Sequence, residues 1–379
     1  MAERQAGPVV MTLYPATGRG DRSSPSASHP ADYSQDAPLA FFNAALETYE
    51  RAESASDGRI ERFFSIAGFP VRLRFAGSAL PPYVVRALAH LSIDPVQDPA
   101  LTICLWDSVS THTPMPPPPW GPNDYLQAGE IREYINERFF TAFQIGVGVL
   151  SVLDFERGLG LYWIKSPQDI PYFESGAPMR VLLHPWLSRQ RLIPVHAGAV
   201  GLPNGGVLLV GKGGSGKSNT ALACLESRLL YASDDFCVLR TQPALTVFSL
   251  FGTGKVGAGD LQRLPFLASR ISNREHLQEE KALFYLNEHF PEKLLRTFPI
   301  KAILIPRVTG KPQTALQPAT PAAALASLAP STVILAPRLA GATFQQLSGI
   351  VRQVPCYHLD VGTDPAQIPL VILDLLSQS

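Results

Sequence analysis

Apolar residues in the second half of the chain form short blocks that predict strands followed by helices. The run 206–210 reads Gly-Val-Leu-Leu-Val and is bounded by glycines, which is typical of a buried parallel strand. Residues 219–226 then predict a helix, and residues 229–232 predict the next strand. Residues 300–305 predict another strand, which we expect to end at Pro306 because proline cannot donate to a ladder. Strands that alternate with helices predict an α/β sheet.

The first half of the chain has weaker patterns. Residues 82–91 place apolar side chains on one helical face, and residues 101–106 predict a short strand. We therefore expect a smaller N-terminal α/β or α+β domain over 38–186, with a role in substrate recognition as a hypothesis. Residues 1–37 are rich in Ser, Pro and Gly and predict a disordered tail, and residues 187–379 form the second predicted domain.

Composition limits the classes of partner. Lys and Arg number 32 and Asp and Glu also number 32, so the balance of charge predicts neither a nucleic-acid partner nor a membrane surface. The longest apolar stretch, 145–153, is far shorter than the ~20 residues that cross a bilayer. No signal-peptide pattern opens the chain, and none of the four cysteines has metal-site spacing. We expect a cytoplasmic protein with reduced thiols.

The strongest motif directly follows the strand 206–210. Residues 211–218 match the P-loop pattern Gly-x-x-x-x-Gly-Lys-Ser in full, and a helix is predicted next. Glycines let successive N–H groups turn towards phosphate oxygens, Lys217 can reach the β and γ phosphates, and the Ser218 hydroxyl can ligate Mg²⁺. The predicted nucleotide-binding residues are Gly211, Lys212, Gly213, Gly214, Ser215, Gly216, Lys217, Ser218 and Asn219, with ATP and Mg²⁺ as the expected ligands.

A pair of carboxylates, Asp234 and Asp235, follows the predicted strand 229–232. Sixteen residues separate Ser218 from Asp234, which is enough chain for one short helix, a turn and one strand. We therefore expect the pair on the strand next to the P-loop strand, beside the phosphates. One carboxylate, Asp234, would then hold Mg²⁺ with Ser218, and the other, Asp235, would accept the proton of an attacking hydroxyl.

Several segments around and beyond the P-loop form a set with counterparts in a known family. They are His196-Ala197-Gly198, the strand 206–210, the P-loop, the helix start Asn219-Thr220-Ala221-Leu222, the segment Ala232-Ser233-Asp234-Asp235, and weaker matches at 249–255 and 279–281. Through these residues the segment around the P-loop resembles the HPr kinase/phosphorylase family of bacterial serine kinases, and the whole chain resembles its HPr-kinase-like relatives, which include kinases of lasso-peptide gene clusters.

The resemblance implies a fold related to phosphoenolpyruvate carboxykinase in the C-terminal domain and phosphorylation of a serine. It implies that Asp235 or Asp234 is the catalytic base, that His196 lies near the transferred phosphoryl group, and that the chain can form homo-oligomers. The C-terminal segment that serves the reverse, phosphorolytic reaction in the family has no match here, so the acceptor stays open.

Two other cations have open assignments. Lys255 lies in a second glycine-containing segment and is either a phosphate or substrate contact or a surface lysine. Arg307 follows the strand 300–305 and can clamp a phosphate or face solvent.

The leading hypothesis is a serine kinase that acts on a protein or peptide, with Lys217, Asp234, Asp235 and His196 as catalytic residues. The alternatives are a nucleotide-binding regulatory module without catalysis and a small-molecule kinase.

Overall fold

The computed structural model describes residues 36–378 apart from 336, 337 and 339. The predicted disordered tail therefore lies almost entirely outside the described residues. The first helix begins at Ala37.

The helices within the described residues are α1 (Ala37–Ala55), α2 (Pro81–Leu88), α3 (Ser108–Thr111), α4 (Tyr172–Ser175), α5 (Arg180–Arg189), α6 (Lys217–Ala223), α7 (Leu286–His289), α8 (Pro321–Val333), α9 (Ala340–Ile350) and α10 (Gln367–Ser377). The strands are β1 (Arg59–Ile66), β2 (Phe69–Ala76), β3 (Leu101–Asp107), β4 (Phe139–Gln144), β5 (Val149–Asp154), β6 (Leu159–Ile164), β7 (Ile193–His196), β8 (Gly198–Leu202), β9 (Gly205–Leu209), β10 (Leu230–Ser233), β11 (Phe236–Arg240), β12 (Thr246–Ser249), β13 (Thr253–Val256), β14 (Ala282–Tyr285), β15 (Thr297–Val308), β16 (Ala315–Ala319) and β17 (Cys356–Val361). The mixture confirms the predicted α/β class.

Strands β1 to β6 form one mixed sheet, the N-terminal sheet, in the order β1-β2-β3-β6-β5-β4. Strand β3 is central, pairs parallel to β2 and β6, and is buried along its whole length, which explains its continuous apolar run. Helix α1 covers one face through Phe42 and Tyr49, which pack with Trp106 of β3. Helices α2 and α5 cover the opposite face.

The second mixed sheet, the P-loop sheet, has the order β10-β8-β9-β15-β12-β11-β7; in addition β17 pairs with β15, and β16 pairs with β17. Successive residues of β9 point to opposite faces, as strand geometry requires. Leu208 therefore packs in the core under α8 and α9, whereas Val207 and Leu209 pack under α6 and α10. Burial on both faces is why the run 206–210 is apolar throughout.

Two predictions about this sheet are wrong. Strand β15 does not end before Pro306 but continues to Val308. The Ile303 N–H donates towards β17, to the Pro355 carbonyl, so by alternation Pro306 faces the β9 side. Pairing with β9 ends at Leu304, so no ladder bond is lost.

The carboxylate pair is also not on a strand adjacent to the P-loop strand. Strand β8 lies between β9 and β10 and pairs antiparallel with both. Strands β9 and β10 therefore run in the same direction, and their carboxyl ends lie at one edge of the sheet. The carboxylate pair after β10 therefore lies at the same edge of the sheet as the P-loop after β9, although the two strands are not adjacent.

The two sheets share packing surfaces. A single apolar cluster contains Leu73 and Leu105 of the N-terminal sheet together with Val238 and Phe248 of the P-loop sheet. Helix α5 runs through the predicted domain boundary at 186/187, and the division into domains stays a prediction. No helix in the described part of the chain is long and apolar enough to cross a membrane.

Candidate functional site

The P-loop connects the end of β9 to the start of α6, as predicted. Gly214 and Gly216 have φ angles of +78° and +97°, in the left-handed region that side chains rarely adopt. A Cβ atom at Gly213 or Gly214 would meet nothing within 4 Å, so open space lies beside the loop backbone. These features fit close approach of a phosphate group to the main chain.

Lys217 is held inside this loop. Its side chain is buried, and its Nζ donates to the carbonyl oxygens of Gly211 at 2.7 Å and Lys212 at 3.2 Å. Burial lowers the pKa of Lys217, and the negative charges of Asp235 and Asp234 oppose that shift. Among the described residues, the Lys217 ammonium group donates hydrogen bonds to these two neutral carbonyl oxygens. Its positive charge can therefore attract an anion such as a phosphate group.

Beside the loop lies a pocket of about 380 Å³, the P-loop pocket. Its wall includes the nucleotide-binding candidates Lys212, Gly213, Gly214, Gly216, Lys217, Ser218 and Asn219. The wall also includes His196, Asp235 and Lys255. Gly211 and Ser215 are predicted residues that do not line it. The Ser215 Oγ is buried without a hydrogen-bond partner among the described residues and lies beneath the loop, against Gly211.

Asp235 is the centre of a charged group in this wall. Its Oδ1 lies 2.6 Å from His196 Nε2, and its Oδ2 accepts from Lys255 Nζ at 3.0 Å. Burial alone raises the pKa of Asp235, but the contacts with Lys255 and His196 outweigh burial and hold the pKa well below its usual range. The side chain keeps a quarter of its surface exposed. Asp235 is therefore an ionised carboxylate that faces the P-loop pocket.

Asp234 has a different environment. It is 2% exposed and does not line the P-loop pocket. Its Oδ2 accepts from the backbone N–H of Lys255 at 2.9 Å, which joins β13 to the end of β10. Burial and the neighbouring charge of Asp235 raise the pKa of Asp234. The two adjacent carboxylates therefore differ in burial. Asp235 faces the P-loop pocket, whereas Asp234 lies inside the protein.

Lys255 is 7% exposed, so of its two assignments the surface lysine is wrong. It lies on strand β13, and Asp234 fixes its backbone while Asp235 binds its ammonium group. Arg307 does not line the P-loop pocket; it pairs with Asp360 at 2.7 Å and its side chain is 46% exposed.

Sequence reasoning missed Arg180 and Phe236. The ring of Phe236 stacks on His196 with 5.2 Å between ring centroids, and the Arg180 guanidinium lies 4.9 Å from the Phe236 centroid. Both residues line the P-loop pocket. The adjacency of Phe236 to the carboxylate pair was a usable signal, whereas nothing in the sequence connects Arg180 to the P-loop.

A metal ion held by protein side chains alone is not supported within the described residues, since they contain no group of three His, Cys, Asp or Glu side chains able to hold one.

Comparisons with known proteins add little. No protein-family profile matches the chain, and no curated protein matches it. A solved structure, the Hpr(Ser) kinase/phosphatase from Coxiella burnetii, is 13% identical over 49% of this chain and 97% of that chain, with a TM-score of 0.28. A likeness this weak carries no argument about activity, so the function rests on the site.

Proposed function

We propose that the chain is an ATP-dependent kinase that transfers the γ-phosphate of ATP to a serine hydroxyl on a protein or peptide. The observation that carries the proposal is that Lys217 of the P-loop and the group Asp235, His196 and Lys255 line one pocket. A phosphate cradle and an ionised carboxylate are the two parts that phosphoryl transfer to a hydroxyl requires.

The nucleotide phosphates bind the P-loop main chain and Lys217. The open space at Gly213 and Gly214 supports this placement. The Ser218 hydroxyl is the proposed Mg²⁺ ligand; when bound, the ion neutralises charge on the phosphates. For Asp234, burial away from the pocket supports a positioning role in place of the predicted metal ligation. Lys217 and the loop amides stabilise charge on the transferring group.

In the proposed step, the acceptor oxygen bonds to the γ-phosphorus while the bond to the β–γ bridging oxygen breaks, and ADP leaves with that electron pair. Asp235 accepts the hydroxyl proton. Its low pKa keeps it ionised at neutral pH, and in a loose transition state the proton moves late, when the oxygen is already acidic. His196 and Lys255 hold the carboxylate by contacts of 2.6 Å and 3.0 Å.

Asp235→Asn tests the base. The variant keeps the shape of the side chain but cannot accept the proton, so transfer of label from [γ-³²P]ATP to serine-centred peptide libraries should fall about 10²- to 10⁴-fold. Calorimetric titration with an ATP analogue should show Mg²⁺-dependent binding in both proteins. Unchanged transfer in the variant would reject Asp235 as base, whereas tight binding without transfer or hydrolysis in the wild type would favour the non-catalytic module.

A further inference from the structure

A second cavity, the side cavity, lies next to the P-loop pocket and has a volume of about 350 Å³. The two share Arg180 and Leu335 in their walls. Arg180 also contacts the ring of Phe236, which stacks on His196 beside Asp235. The side cavity is therefore adjacent to the pocket that Asp235 lines.

The walls of the side cavity are largely apolar. Phe140 of β4, Phe155 and Val181 of α5 line it, together with Leu335. At the rim Ile334 is 51% exposed, although it is a large apolar side chain. Exposed apolar surface around a concave site is typical of a binding surface.

A buried acceptor lies in the same wall. Glu130 is 6% exposed, and its Oε2 has no hydrogen-bond partner among the described residues. Burial raises the pKa of Glu130, and the positive charge of Arg338 opposes the shift. A buried polar atom without a partner is costly, so an incoming N–H or O–H donor is stabilised at this point.

The cations of the wall define the chemistry further. Arg180, Arg189 and Arg338 also line the side cavity, so positive groups outnumber Glu130 and a cationic ligand is disfavoured. A neutral ligand that offers both donors and acceptors fits better. A peptide main chain supplies an N–H for the carboxylate and carbonyl oxygens for the guanidinium groups, and an apolar side chain fills the walls.

We propose that the side cavity binds the acceptor as an extended polypeptide, with an apolar residue close in sequence to the phosphorylated serine and a main-chain N–H that donates to Glu130. This inference rests on the proposed kinase function. It adds to that function a binding site for the acceptor outside the P-loop pocket, formed by Glu130 and the apolar wall of the side cavity.

The selectivity of the enzyme tests the inference first. Serine-centred peptide libraries with one randomised position at a time should show preferred labelling when one flanking position is apolar. Glu130→Gln should lower kcat/KM for the preferred peptide about tenfold, because the neutral amide oxygen is a weaker acceptor than a carboxylate oxygen and the second oxygen is replaced by a donor. Ile334→Glu should remove the apolar preference, whereas Leu370→Glu, at a site on α10 that is 63% exposed, should keep it.

Covalent blocking of the side cavity provides a second test. It leaves Glu130 and Ile334 unchanged. Ser188 lines the side cavity, and the natural cysteines Cys104, Cys224, Cys237 and Cys356 are buried with pKa values raised by burial. A Ser188→Cys variant should therefore react selectively with a bulky maleimide. Labelled protein should lose peptide phosphorylation, while Ser54→Cys on exposed α1, labelled in the same way, should keep it.

The outcomes separate the two proposals. Absence of Mg²⁺-dependent nucleotide binding in the wild type overturns the proposed function. Normal binding and peptide labelling with no apolar preference, or with full activity after the cavity is blocked, overturns the side-cavity inference alone. Loss of peptide labelling on blocking, with an unchanged Kd for an ATP analogue, supports it.

Discussion

Charged side chains are partly or fully buried in both sheets. The charged groups of the N-terminal sheet are surrounded more completely by hydrogen-bond partners than those of the P-loop sheet. In the N-terminal sheet, the carboxylate of Asp154 is fully buried and accepts from Arg138 at 2.8 and 3.1 Å and from the backbone N–H groups of Glu156 and Arg157. In the P-loop sheet, Asp235 has two side-chain partners and keeps a quarter of its surface open to the pocket.

The difference teaches that buried charge by itself does not mark a functional site. Within the described residues the Asp154 side chain is 0% exposed, and its bonds to Arg138 join the end of β5 to the start of β4. Asp235 and Lys217 combine burial with a face towards open space. Substitutions in the two regions should therefore separate stability from activity.

Of the three substitutions that follow, Lys217→Met should have the largest effect. Lys217→Met keeps the length of the side chain and removes its charge, so phosphoryl transfer should fall about 10²- to 10³-fold. The melting temperature should not fall, because the variant no longer buries an ammonium group. Rates and thermal unfolding should be measured beside Lys311→Met at an exposed site. A Lys217→Met protein that is unstable but fully active would contradict this comparison, because Lys217 would then serve stability as Asp154 does.

The opposite result is expected at Asp154. Asp154→Asn leaves buried donors without their charged acceptor and should lower the free energy of unfolding by about 1–3 kcal/mol. The Kd for an ATP analogue should not change, because Asp154 lies in the other sheet. Denaturant unfolding and calorimetry measure the two quantities. Glu156→Gln is the control, since Glu156 is 65% exposed and its pair with Arg138 should contribute little.

A smaller effect concerns His90, which lies between the two sheets. Its Nε2 is 2.7 Å from Ser249 Oγ, and burial, followed by the charge of Arg296, lowers the pKa of His90 to about 3. Below the ordinary pKa of about 6.5, His90 is protonated in the unfolded chain. In the folded chain His90 stays neutral until the pH falls to about 3. This group should therefore lower stability as the pH falls through that window, by at most ~1.4 kcal/mol per pH unit.

The measurement is the free energy of unfolding at pH 6.5 and 5.5 for the wild type, His90→Asn and the exposed control His289→Asn. The dependence should become shallower only in His90→Asn. His184 is also buried with a lowered pKa, so the remaining dependence should not vanish. An identical slope in all three proteins would mean that His90 titrates normally in the fold.

Local features of the fold were predictable because neighbouring residues determine them. The P-loop follows a strand and precedes a helix, and strand β3 (Leu101–Asp107) matches the predicted strand 101–106 to within one residue. The extension of β15 through Pro306 was not predictable, because β15 pairs there with β17, which is distant in the sequence. The position of β8 between β9 and β10 was not predictable either, because it depends on the pairing of β8 with the distant strand β10.

The candidate site was also predictable only in part. The P-loop and the carboxylate pair are visible as motifs, but which carboxylate faces the pocket depends on how β13 packs against β10. Arg180 and Glu130 reach their cavities through tertiary packing alone, and no spacing in the sequence reports that arrangement.

The most direct test of the account follows the position of the label. Wild-type protein is incubated with Mg²⁺, a serine-centred peptide library and ATP labelled with ³²P at either the γ or the α position, and the peptides are then hydrolysed for phosphoamino-acid analysis. We expect label in phosphoserine from the γ-labelled nucleotide and none from the α-labelled one. Label that remains only in ATP, or that appears only as inorganic phosphate, would contradict it.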